Sequence, residues 1–435
     1  MNRKQKNSSS RLLFAGLFVV AALGLLLYRV SQTVSRVQRA PLRLGEAVEL
    51  GTPPAPLGDD RIAGKERLEA LNAQRETAQS TPQTPQDLAR FARDAAIAGD
   101  ALTSWDALRV VIKSTPNADP VLWEALGRSE IQLSRFSDAL NTFRKLIQLN
   151  PNKAAYHIGL GRAYRYLNRR AEAVETIEKA TRLIPESDVP NRLALVQEFE
   201  EMGDINRALQ AAQALQATNP TDLALQKKVG TILFRMGRVP EAYALFEAFF
   251  AQHPDDKDAK YFLAVLTADP LCPKRDLVKA ESLFLEILQS DAKDARTATQ
   301  LGRLYMDQSR WKQAAYIYIT LLTAHPDTSS ARLQLARAYD QIGDKKAAET
   351  QRAFGNRLAE SEREESRLIA QKTNFPLDPQ KRIALVNHYL SQGRYAKAMP
   401  EIQAAYSLAP KDPTVQSAWK SYYAKLGVAP PPITP

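Results

Sequence analysis

A short residue pattern recurs along this chain every 34 or 35 residues, and that period constrains the fold more than any other feature. The segment Trp123 to Pro151 reads WEALGRSEIQLSRFSDALNTFRKLIQLNP. Thirty-four residues after Gly127 stands Gly161, in HIGLGRAYRYLNRRAEAVETIEKATRLIP. With Gly127 as position 8, repeats begin at Pro85, Pro120, Ala154, Val189, Leu223, Asp258, Ala295, Ser329 and Pro379, spaced 35, 34, 35, 34, 35, 37, 34 and 50 residues apart. A unit this short cannot bury its own apolar face. Neighbours must stack to make a core.

Each recurrent position has a physical reason. Position 8 is Gly127, Gly161, Gly230 or Gly302, with Ala92 and Ala336 elsewhere, and position 20 is Ala139, Ala173, Ala208, Ala242, Ala280, Ala314, Ala348 and Ala398. Two antiparallel helices approach closely only where side chains are this small. Phe143, Phe246, Phe284 and Tyr318 at position 24 fill the space beside them, with Tyr164, Tyr305, Tyr339 and Tyr389 at position 11. Gly99, Gly203, Gly237, Gly343 and Gly393 suit a left-handed stop after the first helix. A proline closes most second helices: Pro116, Pro151, Pro185, Pro220, Pro254, Pro326 and Pro410.

The Trp-x2-Leu-Gly helix, the alanine, the aromatic and the closing proline resemble the tetratricopeptide repeat (TPR). The resemblance covers about 85–410. It implies an all-α superhelical solenoid of about nine helix-turn-helix repeats, with a concave groove lined by first helices. Two irregularities interrupt it. The sixth repeat carries extra residues in DPLCPKRDL, read as a longer inter-helix turn. After Gly343 the second helix continues through AAETQRAFGNRLAESEREESRLIAQK, read as a solvated extension bridging to the ninth repeat, with a partner-binding coil as the alternative. Residues 411–435, with Trp419, Tyr422 and Tyr423, suggest a capping helix and a Pro-rich tail.

Upstream of the repeats, Leu12 to Tyr28 is an uncharged run, LLFAGLFVVAALGLLLY. Its length is at the lower limit for a bilayer span, and it shows no polar face. A cleaved secretory signal is the competing reading. Arg29 follows directly and no Ala-x-Ala site lies nearby, which favours an uncleaved signal-anchor. The expected plan is a basic tail (1–11), a transmembrane anchor (12–28), a flexible linker (29–84) and the solenoid. Eight of the basic residues and no acidic ones lie in 1–43. The net charge of +11 thus falls to +3 over 44–435, which argues against nucleic acid as a partner. The wholly basic tail favours a cytoplasmic amino terminus with the repeats extracytoplasmic; the resemblance of the anchor-plus-repeat plan to bacterial envelope-assembly TPR proteins implies a bacterial inner membrane.

The chain offers little for catalysis or cofactors. A lone Cys272 can make neither an intramolecular disulfide nor, by itself, a cysteine-based zinc site. His157, His253, His325 and His388 lack metal-ligand spacing, and no phosphate-cradling loop or nucleophile elbow occurs. The expectation is a protein that is not an enzyme and holds no cofactor or metal. Its partners are then a protein or peptide in the groove and a lipid bilayer through residues 12–28.

Position 9 repeats one residue type in five repeats: Arg93, Arg128, Arg162, Arg303 and Arg337. Stacked first helices place these as an early and a late ladder suited to carboxylates, since a guanidinium offers a fork of donors. The competing reading pairs them with neighbours such as Glu124, Glu130 and Asp340. Some TPR proteins clamp carboxylates with Lys-x3-Asn and Lys-x3-Arg. Here those positions are Ala89 and Arg93, Glu124 and Arg128, Ile158 and Arg162, which departs from that clamp. The anchor-plus-repeat plan resembles bacterial envelope-assembly TPR proteins. It points to a membrane-anchored scaffold for an envelope complex, or alternatively to a membrane-tethered peptide receptor or co-chaperone.

Overall fold

The computed structural model describes residues 84–97, 100–115 and 118–430. Among the described residues there are nineteen α-helices and no strand. They are α1 (Pro85–Ile97), α2 (Ala101–Ser114), α3 (Pro120–Gln132), α4 (Phe136–Leu149), α5 (Ala154–Tyr166), α6 (Arg170–Leu183) and α7 (Val189–Glu201). Next come α8 (Ile205–Thr218), α9 (Leu223–Arg235), α10 (Val239–Gln252), α11 (Lys257–Ala268), α12 (Leu277–Ser290) and α13 (Ala295–Asp307). The last are α14 (Trp311–Ala324), α15 (Ser329–Ile342), α16 (Lys345–Asn374), α17 (Pro379–Ser391), α18 (Tyr395–Leu408) and α19 (Pro413–Leu426).

Local chemistry sets these boundaries. Asp119, Asp188, Asp222, Asp256, Asp294, Asp378 and Asp412 stand just before first helices, or before α19, and accept backbone N–H bonds there. Each satisfies otherwise unpaired donors at the positive end of a helix dipole. Asp256 starts the sixth repeat at Lys257, one residue before the sequence frame places it. The turn between paired helices needs one left-handed residue. Gly203, Gly237, Gly343 and Gly393 supply it, and Ser134, Asn168 and Ser309 adopt the same conformation at φ of 60°, 59° and 59°. Gly99 and Pro116, assigned stop roles from the sequence, lie outside the described residues.

The small residues do what the frame requires of them. A Cβ placed on Gly127 would come within 2.9 Å of the Phe143 ring, and one on Gly159 within 2.3 Å. Phe143 is therefore wedged between two bare backbone segments, one from its own repeat and one from the next. Gly302 faces Tyr318 in the same way. A Cβ placed on Gly161 would meet the Ile177 side chain at 2.8 Å and the Ala173 carbonyl oxygen at 3.5 Å.

The chain forms two compact units. The smaller holds residues 239–359 and the larger the described parts of 54–238 and 360–435. In the smaller unit Phe246 stacks on Phe262 at 4.9 Å, and Tyr305 donates to buried Glu281 at 2.9 Å while Arg310 donates to the same carboxylate at 2.8 Å. The extra residues of the sixth repeat form the turn before α12. There Asp276 N–H reaches the Thr267 carbonyl at 3.0 Å, Cys272 is buried, and Leu271 and Val278 are exposed.

The larger unit departs from a stack in which each repeat touches only its neighbours. Helix α18 packs on α2, some 300 residues earlier in the chain. Gln403 donates to Asp100 Oδ1 at 3.1 Å, and Ser407 Oγ to the Leu133 carbonyl at 3.3 Å, both buried. Arg135 donates back to the Ser407 carbonyl and lies 4.5 Å over the Trp105 ring. One apolar core runs through Leu102, Trp105, Leu108 and Leu126 to Leu385, Ile402, Trp419 and Tyr423. The last half of α16 joins this unit: Leu368 is buried, and Glu365 accepts from Arg394 at 2.8 Å and Tyr389 at 3.2 Å. The extension is thus docked on α17 and α18, where the sequence suggested a solvated bridge. Among the described residues no helix is long and apolar enough to cross a membrane. The expected anchor at 12–28 lies outside them.

Candidate functional site

Within the larger unit, the returning C-terminal arm faces the second to fourth repeats across a cavity of about 770 Å³. That volume lies in the usual range for a ligand site. One wall comes from the turn after α3, the end of α5 and α7. The other comes from the end of α16, the start of α17 and the middle of α18.

Helical spacing builds the first wall. Arg162 and Arg165 stand three residues apart on α5, and Glu198 and Glu201 repeat that spacing on α7. Arg162 Nε donates to Glu198 Oε1 at 2.7 Å, and Arg165 Nε lies 3.5 Å from Glu198 Oε2. Arg165 also pairs with Glu201. The Glu198 carboxylate is only 1% exposed, so these two guanidiniums are what compensates its burial. Arg165 stacks 4.4 Å over the Tyr166 ring, which stacks on Phe136 at 4.8 Å and 11°.

On the opposite wall Glu401 accepts from Lys372 Nζ at 2.5 Å and from Arg382 Nη1 at 2.8 Å. Arg382 also donates to the Pro376 carbonyl at 3.2 Å, and its side chain is 6% exposed. Burial lowers the pKa of the Arg382 guanidinium from its ordinary value, with Glu401 opposing that shift. Across both walls four cations meet three carboxylates, Glu198, Glu201 and Glu401. One positive charge is left over. Gln132, Asn168, Gln197 and Asn374 add amide groups, and Ile131, Ile369 and Pro400 add apolar surface.

Of the five arginines singled out in the sequence, Arg162 alone lines this cavity. Arg128 pairs with Glu124 on its own helix and points to solvent. Arg93, Arg303 and Arg337 are exposed. Asp340 is held by Arg352, not by Arg337, and Glu130 is buried beside Thr142. Arg165, Lys372 and Arg382 were not singled out. Arg165 had a local signal, its i+3 spacing from Arg162. Lys372 and Arg382 had none, because nothing in the chain places them opposite α5. Among the described residues no group of histidine, cysteine and acidic side chains is arranged to hold a metal ion. His157 bonds the nearby Pro151 carbonyl, and His325 bonds the Lys293 carbonyl 32 positions earlier, each at 2.8 Å.

Stacked helix hairpins with a charged cavity between them define a helical-repeat protein. The tetratricopeptide repeat family model matches residues 124–188, 228–295 and 299–353 of this chain. The chain is similar to a crystal structure of a tetratricopeptide repeat protein from Parabacteroides merdae, 13% identical, covering 59% of this chain and 99% of that one at a TM-score of 0.42. It is similar to the MamA protein, 16% identical over 40% of this chain and 92% of that one, at 0.34. It is also similar to the human IFIT1 dimer with m7Gppp-AAAA, 14% identical over 81% and 88%, at 0.37. No curated protein matches the chain.

Proposed function

We propose that this protein is a membrane-anchored TPR scaffold that holds a partner protein for assembly of an envelope complex. The stacked repeats carry the reading: rigid hairpins joined by short turns present side chains at fixed spacing along an extended surface. The uncharged run at 12–28 supplies the bilayer attachment, and the basic tail before it sets the repeats on the extracytoplasmic side of a bacterial inner membrane. Binding, not catalysis, is the activity. In this reading Arg93, Arg128 and Arg162 offer donors to an acidic stretch of the partner, and Arg303 and Arg337 do so separately on α13 and α15.

A tethered peptide receptor or co-chaperone is the rival, and copurification separates the two. Crosslinking and affinity purification of the full chain from native membranes should return one or two partners at fixed stoichiometry. Many partners in small amounts would favour the receptor instead. A reporter fused after Pro435 should be inactive if it works only in the cytoplasm, and activity there would reverse the topology. Deleting 12–28 should release the chain to the soluble fraction. Retention after a high-salt wash would show a second mode of attachment.

A further inference from the structure

We propose that the cavity in the larger unit binds a short partner segment bearing one acidic side chain beside an apolar one, gripped between the second to fourth repeats and the returning C-terminal arm. The inference rests on the protein-binding reading above and names the chemistry of its ligand. Charge is the first argument. Arg162, Arg165, Lys372 and Arg382 outnumber Glu198, Glu201 and Glu401 by one, so a single carboxylate neutralises the cavity. Its donors are already fixed. Arg162 and Arg165 are held by the buried Glu198, and Lys372 and Arg382 by Glu401. A ligand carboxylate between them meets pre-oriented groups and loses less freedom in the encounter.

The rest of the lining fits a peptide. The Phe136–Tyr166 stack and Ile369 provide an apolar surface beside the cations. The amides of Gln132, Gln197, Asn168 and Asn374 can both donate and accept, as a peptide backbone requires. The two walls come from segments some 200 residues apart in sequence. They face each other only because α18 is docked on α2 and on the turn at Leu133 through Gln403 and Ser407. A segment bound here therefore touches both arms.

The test uses the purified full chain and a fluorescein-labelled octapeptide with a central Phe-Glu pair in Ser-Gly flanks. Its Phe-Gln counterpart is the control. The glutamate peptide should bind about tenfold more tightly at low salt and lose that advantage as salt rises. Lys372→Gln should weaken it about tenfold; Arg382 still compensates Glu401 in that variant, so the fold survives. Arg165→Gln should do the same, because Arg162 stays on Glu198 and Glu201 is solvated. Lys411→Gln, an equal charge change on an exposed turn, should leave binding unchanged. In the unsubstituted chain, bound peptide should slow hydrogen exchange in 131–136, 162–168 and 369–376 together. Equal affinity for the two peptides, equal affinity of the variants and parent, or protection of one arm only would overturn the proposal. A chain that still captures its native partner stoichiometrically after both substitutions keeps the scaffold function and loses this cavity as its site.

Discussion

Glu130 occupies position 11 of the second repeat, where Tyr164, Tyr305, Tyr339 and Tyr389 stand in other repeats. A carboxyl there is buried, with 5% of its surface exposed. Desolvation raises its pKa from 4.5 to about 7; a hydrogen bond from Thr142 opposes this, Asp138 adds to it and Arg135 reduces it. Below pH 4.5 the group is protonated in both folded and unfolded chains and costs nothing extra. Above pH 7 it is ionised in both, and the folded state carries a buried charge. Stability should therefore fall as pH rises from about 4.5 to 7. At about 1.4 kcal/mol per pH unit, the change from 4.5 to about 7 amounts to roughly 3 kcal/mol. Glu130→Gln keeps the shape and the contact to Thr142 and does not titrate, so it should remove this part of the slope. Two compact units make a single melting temperature a poor reporter, so the measurement is hydrogen exchange in α3 and α4 between pH 5 and 8, corrected for intrinsic rates. Protection in the parent should weaken relative to Glu130→Gln up to about pH 7 and level off above it. Identical pH dependence in the two proteins would refute the reasoning.

Ala173 is buried where α6 meets α5, so Ala173→Leu should overpack the hairpin and cost about 1–3 kcal/mol, read as faster exchange in α5 and α6. Ser309 holds a left-handed turn at φ 59°; Ser309→Gly should relieve that strain and stabilise the smaller unit by about 0.5–1 kcal/mol in denaturant titration. Arg93→Ala with Arg128→Ala should weaken capture of an acidic partner at low salt without lowering stability, because both side chains are exposed. Arg162→Ala should differ from those two: it strips the nearer partner from buried Glu198 and should cost about 1–3 kcal/mol before any ligand is considered.

What the sequence determined by itself is the repeat. Helix starts at Pro120, Ala154, Val189, Leu223, Ala295, Ser329 and Pro379 fall where the 34-residue frame places them, because proline, aspartate caps and left-handed turns act over a few residues. Small residues at positions 8 and 20 and aromatics at position 24 were legible for the same reason. They meet within a hairpin or between neighbouring repeats, so spacing alone brings them together. The exceptions at Ser134, Asn168 and Ser309 were missed because the turn imposes its conformation on whatever residue stands there. Only the tertiary structure decided the contact of α18 with α2 and the cavity beside it. Gln403 and Asp100 are 303 positions apart, and no periodicity relates them. Their meeting depends on packing inside the larger unit, where the core shared by α2, α17, α18 and α19 brings the two stretches together. Lys372 and Arg382 read as ordinary surface charges along the chain. They become the far wall of a site because the docking of α18 on α2 holds them opposite Arg162 and Arg165.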